Sequence, residues 1–387
     1  MKNYSRQLIP GGVLTSILFL LFLYFNWNQP ATELLIGSFY FIVLYFLLFT
    51  IGQPEVSKRI GSQMSMGTEK VILFPLILIV MLYFYLSFFG YSPFEGTAAL
   101  FPFFLLFPIL GFLAFKKTVI VWSDFVFLLL LLIPATTISF KNNTSLPIHG
   151  ASFSSVYKLI IMLAGVYAFG IVRGIKDVGF YPMFNLKALG IAIMCWLSFI
   201  GIVCLIGYFG NFVNLLGLGT ISEESINKGV KNFIRIFVGT ALFEELYFRG
   251  LIQNMLAKKI NQYKNWLKSW QWGFGVFLVL AFITGYSMSK QLFWFPMLIT
   301  VILFSAAYFI ERSKGSIHGT YTALAMTSIF FGLVHFHAGS IIFVGLASIA
   351  GWAYGYTYLK TKNVFYAALV HTLVNSSEFL FALEGLK

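Results

Sequence analysis

Apolar stretches long enough to cross a lipid bilayer recur from one end of the chain to the other. A membrane-spanning helix needs about 20 predominantly apolar residues, and about thirteen segments approach that length. They are residues 10–28, 34–51, 70–90, 97–115, 119–138, 154–172, 187–208, 233–256, 273–289, 291–310, 320–337, 340–359 and 363–383. Charged residues make up only 10% of the chain, compared with about 25% in a soluble domain. We therefore expect an all-α fold, a polytopic bundle of transmembrane helices.

The basic residues predict how the chain is oriented in the membrane. The net charge is +13, and with a cytoplasmic amino terminus most basic residues fall in cytoplasmic loops. These residues are Lys2, Arg6, Lys58, Arg59, Lys70, Lys116, Lys117, Arg173, Lys176, Lys187, Lys258, Lys259, Lys264, Lys268, Arg312, Lys314, Lys360 and Lys362. This bias satisfies the positive-inside rule, so the charge indicates topology and not a nucleic-acid partner. Short loops and the lack of targeting signals suggest a bacterial plasma membrane.

The two halves of the sequence differ in chemistry. Residues 1–185 hold six predicted spans, in which the only acidic residue is Asp124. Residues 186–387 hold every ionisable residue that forms a pattern inside a predicted span. The sequence therefore predicts two membrane units. The role of the amino-terminal unit is open, and binding of a membrane protein partner is one interpretation.

Two adjacent acidic residues stand inside the predicted span 233–256, in the sequence FEELYFR that ends at Arg249. A charge within a bilayer costs about 2.5–3.5 kcal/mol on insertion scales, so such residues are functional candidates by default. Glu245 and Arg249 are four residues apart and can pair on one helix face. Glu244 lies about 100° away around the helix and escapes that pair. It is the carboxylate that can act as a general base.

Two further helical spacings place polar side chains on single helix faces. Phe331 and His335 are four residues apart on one predicted span, and His371 and Asn375 are four apart on another. Three spans can therefore bring a carboxylate, two imidazoles and an amide to one point. His337 is two residues beyond His335, and we expect it to point to the other side of its helix, in an interfacial role.

These side chains suit the hydrolysis of an amide bond inside a membrane. Glu244 and His335 can hold and deprotonate a water molecule. His371 and Asn375 can donate hydrogen bonds to the oxyanion of a tetrahedral intermediate. Alternatively, Glu244, His335 and His371 can hold Zn²⁺ and leave one open position. The sequence contains no HExxH or GxSG-type motif and only two aspartates, which argues against other intramembrane proteases.

The motifs EExxxR, FxxxH and HxxxN, in this order on apolar segments, resemble those of the CPBP family. This family, also called the Abi family, comprises CAAX proteases and bacteriocin-processing enzymes. Its members are polytopic intramembrane endopeptidases, and they include the Rce1-type prenyl-protein proteases. The resemblance covers about residues 186–387 and implies that this half is the protease domain. It also implies that Glu244 is the general base, with His335 as its partner in activating water.

The same resemblance implies roles for the other motif residues. His371 and Asn375 would form the oxyanion site, and Glu245 with Arg249 would brace the first motif helix. Family members have been described both as metalloproteases and as metal-independent glutamate proteases, so the cofactor is either none or Zn²⁺. An oxyanion role for Asn375 favours the metal-free mechanism. The chain departs from the family by its six-span amino-terminal extension and by an inserted two-helix segment, about residues 273–312.

The function that we expect is intramembrane endopeptidase activity on a membrane-embedded or lipidated peptide or protein. A prenylated CAAX-type terminus, a bacteriocin or pheromone precursor and another membrane protein are the substrate classes. Two other functions stay open. One is a non-catalytic membrane scaffold or immunity factor that binds a partner through the same polar cavity. The other is a proton-coupled transporter whose titrating carboxylate is Glu244.

Overall fold

The computed structural model is predominantly helical, which confirms the predicted all-α class. The structure describes residues 2–64, 67–115, 119–136, 145–146, 153–209, 213–215, 223–263, 265–314, 319–380 and 383–385. Besides helices, the described residues contain one antiparallel pair of three-residue strands, β1 (Val213–Leu215) and β2 (Leu383–Gly385).

Packing divides the chain into two compact units. The first consists of Met1–Phe184 and Ile234–Leu246, and the second of Asn185–Phe233 and Tyr247–Lys387. The segment that carries the two adjacent glutamates thus packs with the amino-terminal unit. The predicted functional division into residues 1–185 and 186–387 remains a prediction.

The first unit contains seven described helices besides the glutamate segment. They are α1 (Lys2–Asn26), α2 (Ala31–Thr50), α3 (Pro54–Met64), α4 (Thr68–Phe88), α5 (Phe101–Ala114), α6 (Trp122–Thr136) and α7 (Val156–Gly165). A 3₁₀ turn, Gly96–Leu100, precedes α5, and α7 continues as a π-helix, Val166–Val172. Aromatic rings form much of the core. Phe41, for example, is fully buried and packs against Phe22 at a centroid distance of 4.7 Å.

A continuous helical run connects the two units. It consists of α9 (Glu223–Ile236), a π-helix (Phe237–Ala241), α10 (Leu242–Glu245), a second π-helix (Leu246–Gln253) and α11 (Asn254–Asn261). The remaining helices of the second unit are α8 (Leu186–Phe209), α12 (Trp266–Met288), α13 (Trp294–Lys314), α14 (Thr320–Leu333), α15 (Ile341–Thr361) and α16 (Val364–Leu380). A 3₁₀ turn, Val334–Ala338, follows α14.

The predicted two-helix segment at 273–312 forms a hairpin of α12 and α13 that packs against α14. Phe304 of α13 and Leu324 of α14 are fully buried in the core that these helices share. The indole Nε1 of Trp270 donates a hydrogen bond of 2.9 Å to the carbonyl of Phe304. The second unit is completed by α15, which packs against α14, α16 and α8.

Eight helices of the described part of the chain are long and apolar enough to cross a membrane. They correspond to eight of the predicted spans and establish a multi-pass membrane protein. Three other predicted spans coincide with shorter apolar helices, at 98–114, 122–135 and 156–172. Of the last two, 233–256 is interrupted by π-helical segments, and 363–383 corresponds to α16, which has 17 residues.

Candidate active site

Glu244 and Glu245 lie in one short α-helical turn between two widened helical segments. This turn, α10, follows the π-helix Phe237–Ala241 and precedes the π-helix Leu246–Gln253. Glu245 is fully buried and Glu244 is half-buried. The α-helical spacing assumed for the predicted pair of Glu245 and Arg249 ends at α10, so that pair stays a prediction. π-Helical turns are rare in proteins, and those that do occur are often found at functional sites.

The guanidinium of Arg249 lies among side chains and glycines of the second unit. Arg249 is fully buried, and its Cζ is 5.3 Å from the centre of the Phe331 ring. Such cation–π contacts are strongest when desolvated. A Cβ atom added at Gly351 or Gly355 would stand 3.3 or 3.4 Å from the guanidinium nitrogens. The two glycines of α15 thus leave the space that the arginine occupies.

Gln253 contacts the same face of α15, the face that carries Gly351 and Gly355. Its Nε2 donates a hydrogen bond of 3.0 Å to the carbonyl of Gly355. A Cβ atom at Gly355 would stand 2.5 Å from Oε1 of Gln253 and would overlap the side chain of Leu324. A Gly-x-x-x-Gly spacing is typical of close helix packing, and here it also admits two polar side chains.

His335 lies just beyond α14, in the 3₁₀ turn Val334–Ala338. Its Nδ1 is 2.6 Å from the carbonyl oxygen of Phe331. Because a carbonyl can only accept a hydrogen bond, Nδ1 carries the proton, and Nε2 of the neutral imidazole keeps its lone pair. That nitrogen can accept a proton from water or bind a metal ion. His335 is half-buried.

His337 lies on the same turn as His335, and the two ring centres are 5.8 Å apart with near-parallel planes. The prediction that His337 points to the other side of a helix is therefore wrong. It assumed α-helical geometry, whereas α14 ends at Leu333 and the chain continues in a tighter 3₁₀ turn. His337 is exposed.

His371 packs against two aromatic rings, Tyr354 and Phe331. It is buried, and the Tyr354 ring stacks on it at a centroid distance of 4.6 Å and an interplanar angle of 8°. Phe331 meets the His371 ring edge-on at 5.8 Å and contacts the His335 ring at 4.6 Å. Phe331 thus joins the two predicted histidines in one aromatic cluster. Sequence reasoning missed Tyr354, because no motif includes it.

Asn375 lies on α16, one turn beyond His371. Its side chain is exposed, whereas His371 is buried. Residues four apart share a helix face, so the amide extends the polar face of α16 from the buried histidine to an accessible position. An accessible amide can donate a hydrogen bond to a bound substrate.

Glu311 is a fully buried carboxylate that sequence reasoning also missed. It lies near the end of α13, and its Oε1 accepts hydrogen bonds from the backbone N–H groups of Tyr321 and Thr322, at 2.7 and 2.9 Å. Oε2 accepts a third, of 3.0 Å, from the Thr322 hydroxyl. A carboxylate at a helix amino terminus satisfies free N–H groups and the helix dipole. Glu311 therefore anchors the start of α14, the helix that leads to His335.

Within the described ranges, no three His, Cys, Asp or Glu side chains form a cluster that could hold a metal ion. Glu244, His335 and His371 remain the predicted alternative set for Zn²⁺. The hydrogen bond of His335 Nδ1 leaves Nε2 as a nitrogen whose lone pair could bind a metal ion. The choice between Zn²⁺ and no cofactor remains a prediction.

Comparison with protein families identifies the helices that carry the two histidines. Residues 307–377 match the family model described as type II CAAX prenyl endopeptidase Rce1-like. This segment is an Rce1-like domain. No match was found among curated proteins, and none among solved structures.

The Rce1-like domain begins within α13 and extends through α14 and α15 into α16. It contains His335, His371 and Asn375, together with the anchoring carboxylate Glu311. The glutamate pair precedes the matched segment. Rce1-like proteins are a family of endopeptidases, and this match supports protease activity and a membrane-associated substrate.

Proposed function

We propose that the protein is an intramembrane endopeptidase that uses a glutamate-activated water to cleave a membrane-associated protein or peptide. The observation that carries the proposal is the imidazole of His335 inside the Rce1-like domain. Its Nδ1 is hydrogen-bonded to the Phe331 carbonyl at 2.6 Å, which leaves Nε2 as an acceptor. An acceptor in a fixed orientation can orient a water molecule and take part in its deprotonation.

The proposed mechanism assigns each motif residue one task. Glu244 takes a proton from water, and His335 orients that water for attack on the scissile carbonyl. The resulting tetrahedral oxyanion accepts hydrogen bonds from His371 and Asn375. The proton taken by Glu244 then passes to the leaving amine.

Two residues are proposed to support the mechanism without touching the substrate. Glu245 and Arg249 are both fully buried, and we propose that they brace the helical segment beside Glu244. Burying charges is costly unless they are paired or hydrogen-bonded, so replacing either residue should disturb this segment.

The proposed substrate is a membrane-embedded or lipidated peptide or protein. A prenylated CAAX-type terminus, a bacteriocin or pheromone precursor and another membrane protein fit this class. We further propose that the protein lies in a bacterial plasma membrane with its amino terminus in the cytoplasm. The distribution of basic residues supports this orientation.

The experiment compares cells that express wild-type protein, Glu244→Gln or Glu69→Gln at matched levels. Glu69 is exposed at the start of α4 and serves as the control. Membrane and secreted peptides are identified by mass spectrometry. We expect a peptide end that appears with wild type and Glu69→Gln and is absent with Glu244→Gln.

The other outcomes separate the alternatives. If all three proteins yield the same peptides and support the same phenotype, hydrolysis is not the function, and the scaffold or immunity role replaces it. If cleavage is found, repeating it with a chelator tests the cofactor. Loss of cleavage that Zn²⁺ restores would replace the metal-free mechanism with a zinc mechanism.

A further inference from the structure

The first unit contains a lysine that contacts the glutamate-bearing segment and has no role in the proposed mechanism. Lys158 is the third residue of α7, on the apolar helical stretch 156–172. Its Nζ donates a hydrogen bond of 2.6 Å to the carbonyl oxygen of Gly239. The same ammonium lies 4.9 Å from the centre of the Phe243 ring.

Both contacts bear on the turn that carries Glu244. Gly239 lies in the π-helix Phe237–Ala241, which leads directly into α10. Phe243 is the residue immediately before Glu244. One ammonium group therefore holds the backbone on the amino-terminal side of α10 and the side chain next to the glutamate.

The chemistry of the two contacts explains why a lysine suits this place. A π-helical turn replaces the i→i+4 hydrogen bonds of an α-helix by i→i+5 bonds. An ammonium has three donors and no acceptor, so it can satisfy a carbonyl in the helix. The cation–π contact with Phe243 compensates for part of its lost hydration.

We propose that Lys158 is a positioning residue, which holds the helical segment at Gly239 and thereby sets the direction of Glu244. This gives the amino-terminal unit, which lies outside the Rce1-like match, a part in positioning the proposed general base. The consequence for catalysis rests on the proposed function. The conformational role does not, because it concerns only contacts within the first unit.

Lys158→Met tests the proposal, since methionine keeps an unbranched apolar side chain and removes the ammonium. Backbone amide exchange is measured by mass spectrometry on peptides that cover residues 237–246, with the full-length protein in lipid nanodiscs. We expect exchange to rise by about tenfold or more, the factor for losing one hydrogen bond to a charged group. Lys158→Arg should restore protection, because a guanidinium can donate to the same carbonyl.

Two matched controls separate this contact from general effects. Lys58→Met removes an exposed lysine of α3 in the same unit. Gly239→Ala keeps the carbonyl, and its Cβ would meet nothing within 4 Å. Neither should raise exchange in 237–246. If Lys158→Met does not fold, Phe243→Leu replaces it, and we expect a smaller rise in the same peptides.

Activity measured on the same samples decides the catalytic part. We expect Lys158→Met to lower kcat about as much as it raises exchange, with KM unchanged, and Lys158→Arg to recover both. Unchanged exchange in Lys158→Met overturns the proposal, and increased exchange with unchanged kcat overturns the link to Glu244. If the wild type cleaves nothing, the proposed function fails, while amide exchange still decides whether Lys158 holds the segment.

Discussion

The two units are both apolar helical bundles, but they hold polar groups in different ways. In the first, Asp124 and Arg173 form a closed ion pair. The Nε of Arg173 donates to Oδ1 of Asp124 at 2.9 Å and its Nη2 to Oδ2 at 3.1 Å, while Oδ2 also accepts the Val121 N–H. In the second unit, His335 has one nitrogen hydrogen-bonded to the backbone and the other available as an acceptor.

The difference shows how a buried polar group can be assigned a role. When every donor and acceptor of a group meets a partner within the protein, the group contributes to structure, as Asp124 does. When the protein holds a group in place and leaves one atom accessible, the group is suited to chemistry. Glu311 shows that the second unit contains both kinds, since its two oxygens accept three hydrogen bonds.

The largest expected effect is at the imidazole of His335. His335→Asn should lower kcat by about 10²- to 10⁴-fold, the usual contribution of general acid–base catalysis, because Glu244 needs the water that His335 orients, and the protein should still fold. His337→Asn, on the same turn and exposed, is the control and should stay close to wild type. Cleavage kinetics on a peptide substrate measure both. Equal activity in the two variants would remove His335 from the mechanism and weaken the comparison between the units.

The next effect concerns stability in the first unit. Asp124→Asn leaves the nearly buried Arg173 without its carboxylate, and breaking a buried pair in this way costs about 3–5 kcal/mol. Asp177→Asn is the control, because Asp177 is exposed and asparagine readily adopts its positive φ of 63°. Unfolding in detergent, followed by circular dichroism, should show a large loss only for Asp124→Asn. A fall in kcat for each folded molecule would contradict the purely structural role.

A smaller effect is expected at the glycine face that admits Arg249. Gly355→Ala should destabilise the second unit by about 1–3 kcal/mol through overpacking, because the new Cβ would meet Leu324 and Gln253. Gly275→Ala on α12 places its Cβ in open space and should be neutral or stabilising by up to about 1 kcal/mol. Thermal unfolding of the two variants measures the difference. Equal melting temperatures would show that the face adapts without cost.

The smallest effect is expected at Tyr354, whose ring stacks on His371. Tyr354→Leu removes a ring pair worth about 0.5–1.5 kcal/mol, whereas Tyr354→Phe keeps the ring. NMR of histidine-labelled protein in nanodiscs should show the His371 signal shifted by the loss of ring current only in Tyr354→Leu. The signal is assigned with His371→Gln. An identical His371 signal in both variants would mean that Tyr354 does not orient the imidazole.

Much of this protein follows from the sequence alone. Hydrophobic length predicts the membrane-spanning helices, because the cost of exposing polar backbone to lipid acts on each segment separately. The motif order predicts the family, and the family match at residues 307–377 confirms that resemblance. Within that segment, the Phe331 ring contacts both His335 and His371.

Tertiary packing decided what the local sequence does not encode. Regular α-helical spacing does not predict the 3₁₀ turn that places His337 beside His335. It also does not predict that Tyr354 stacks on His371, or that Lys158 contacts Gly239, a residue far away in the chain. The physical reason is that periodicity reports which face of a helix is apolar. It does not report which distant side chain meets that face, because this depends on how neighbouring helices pack together.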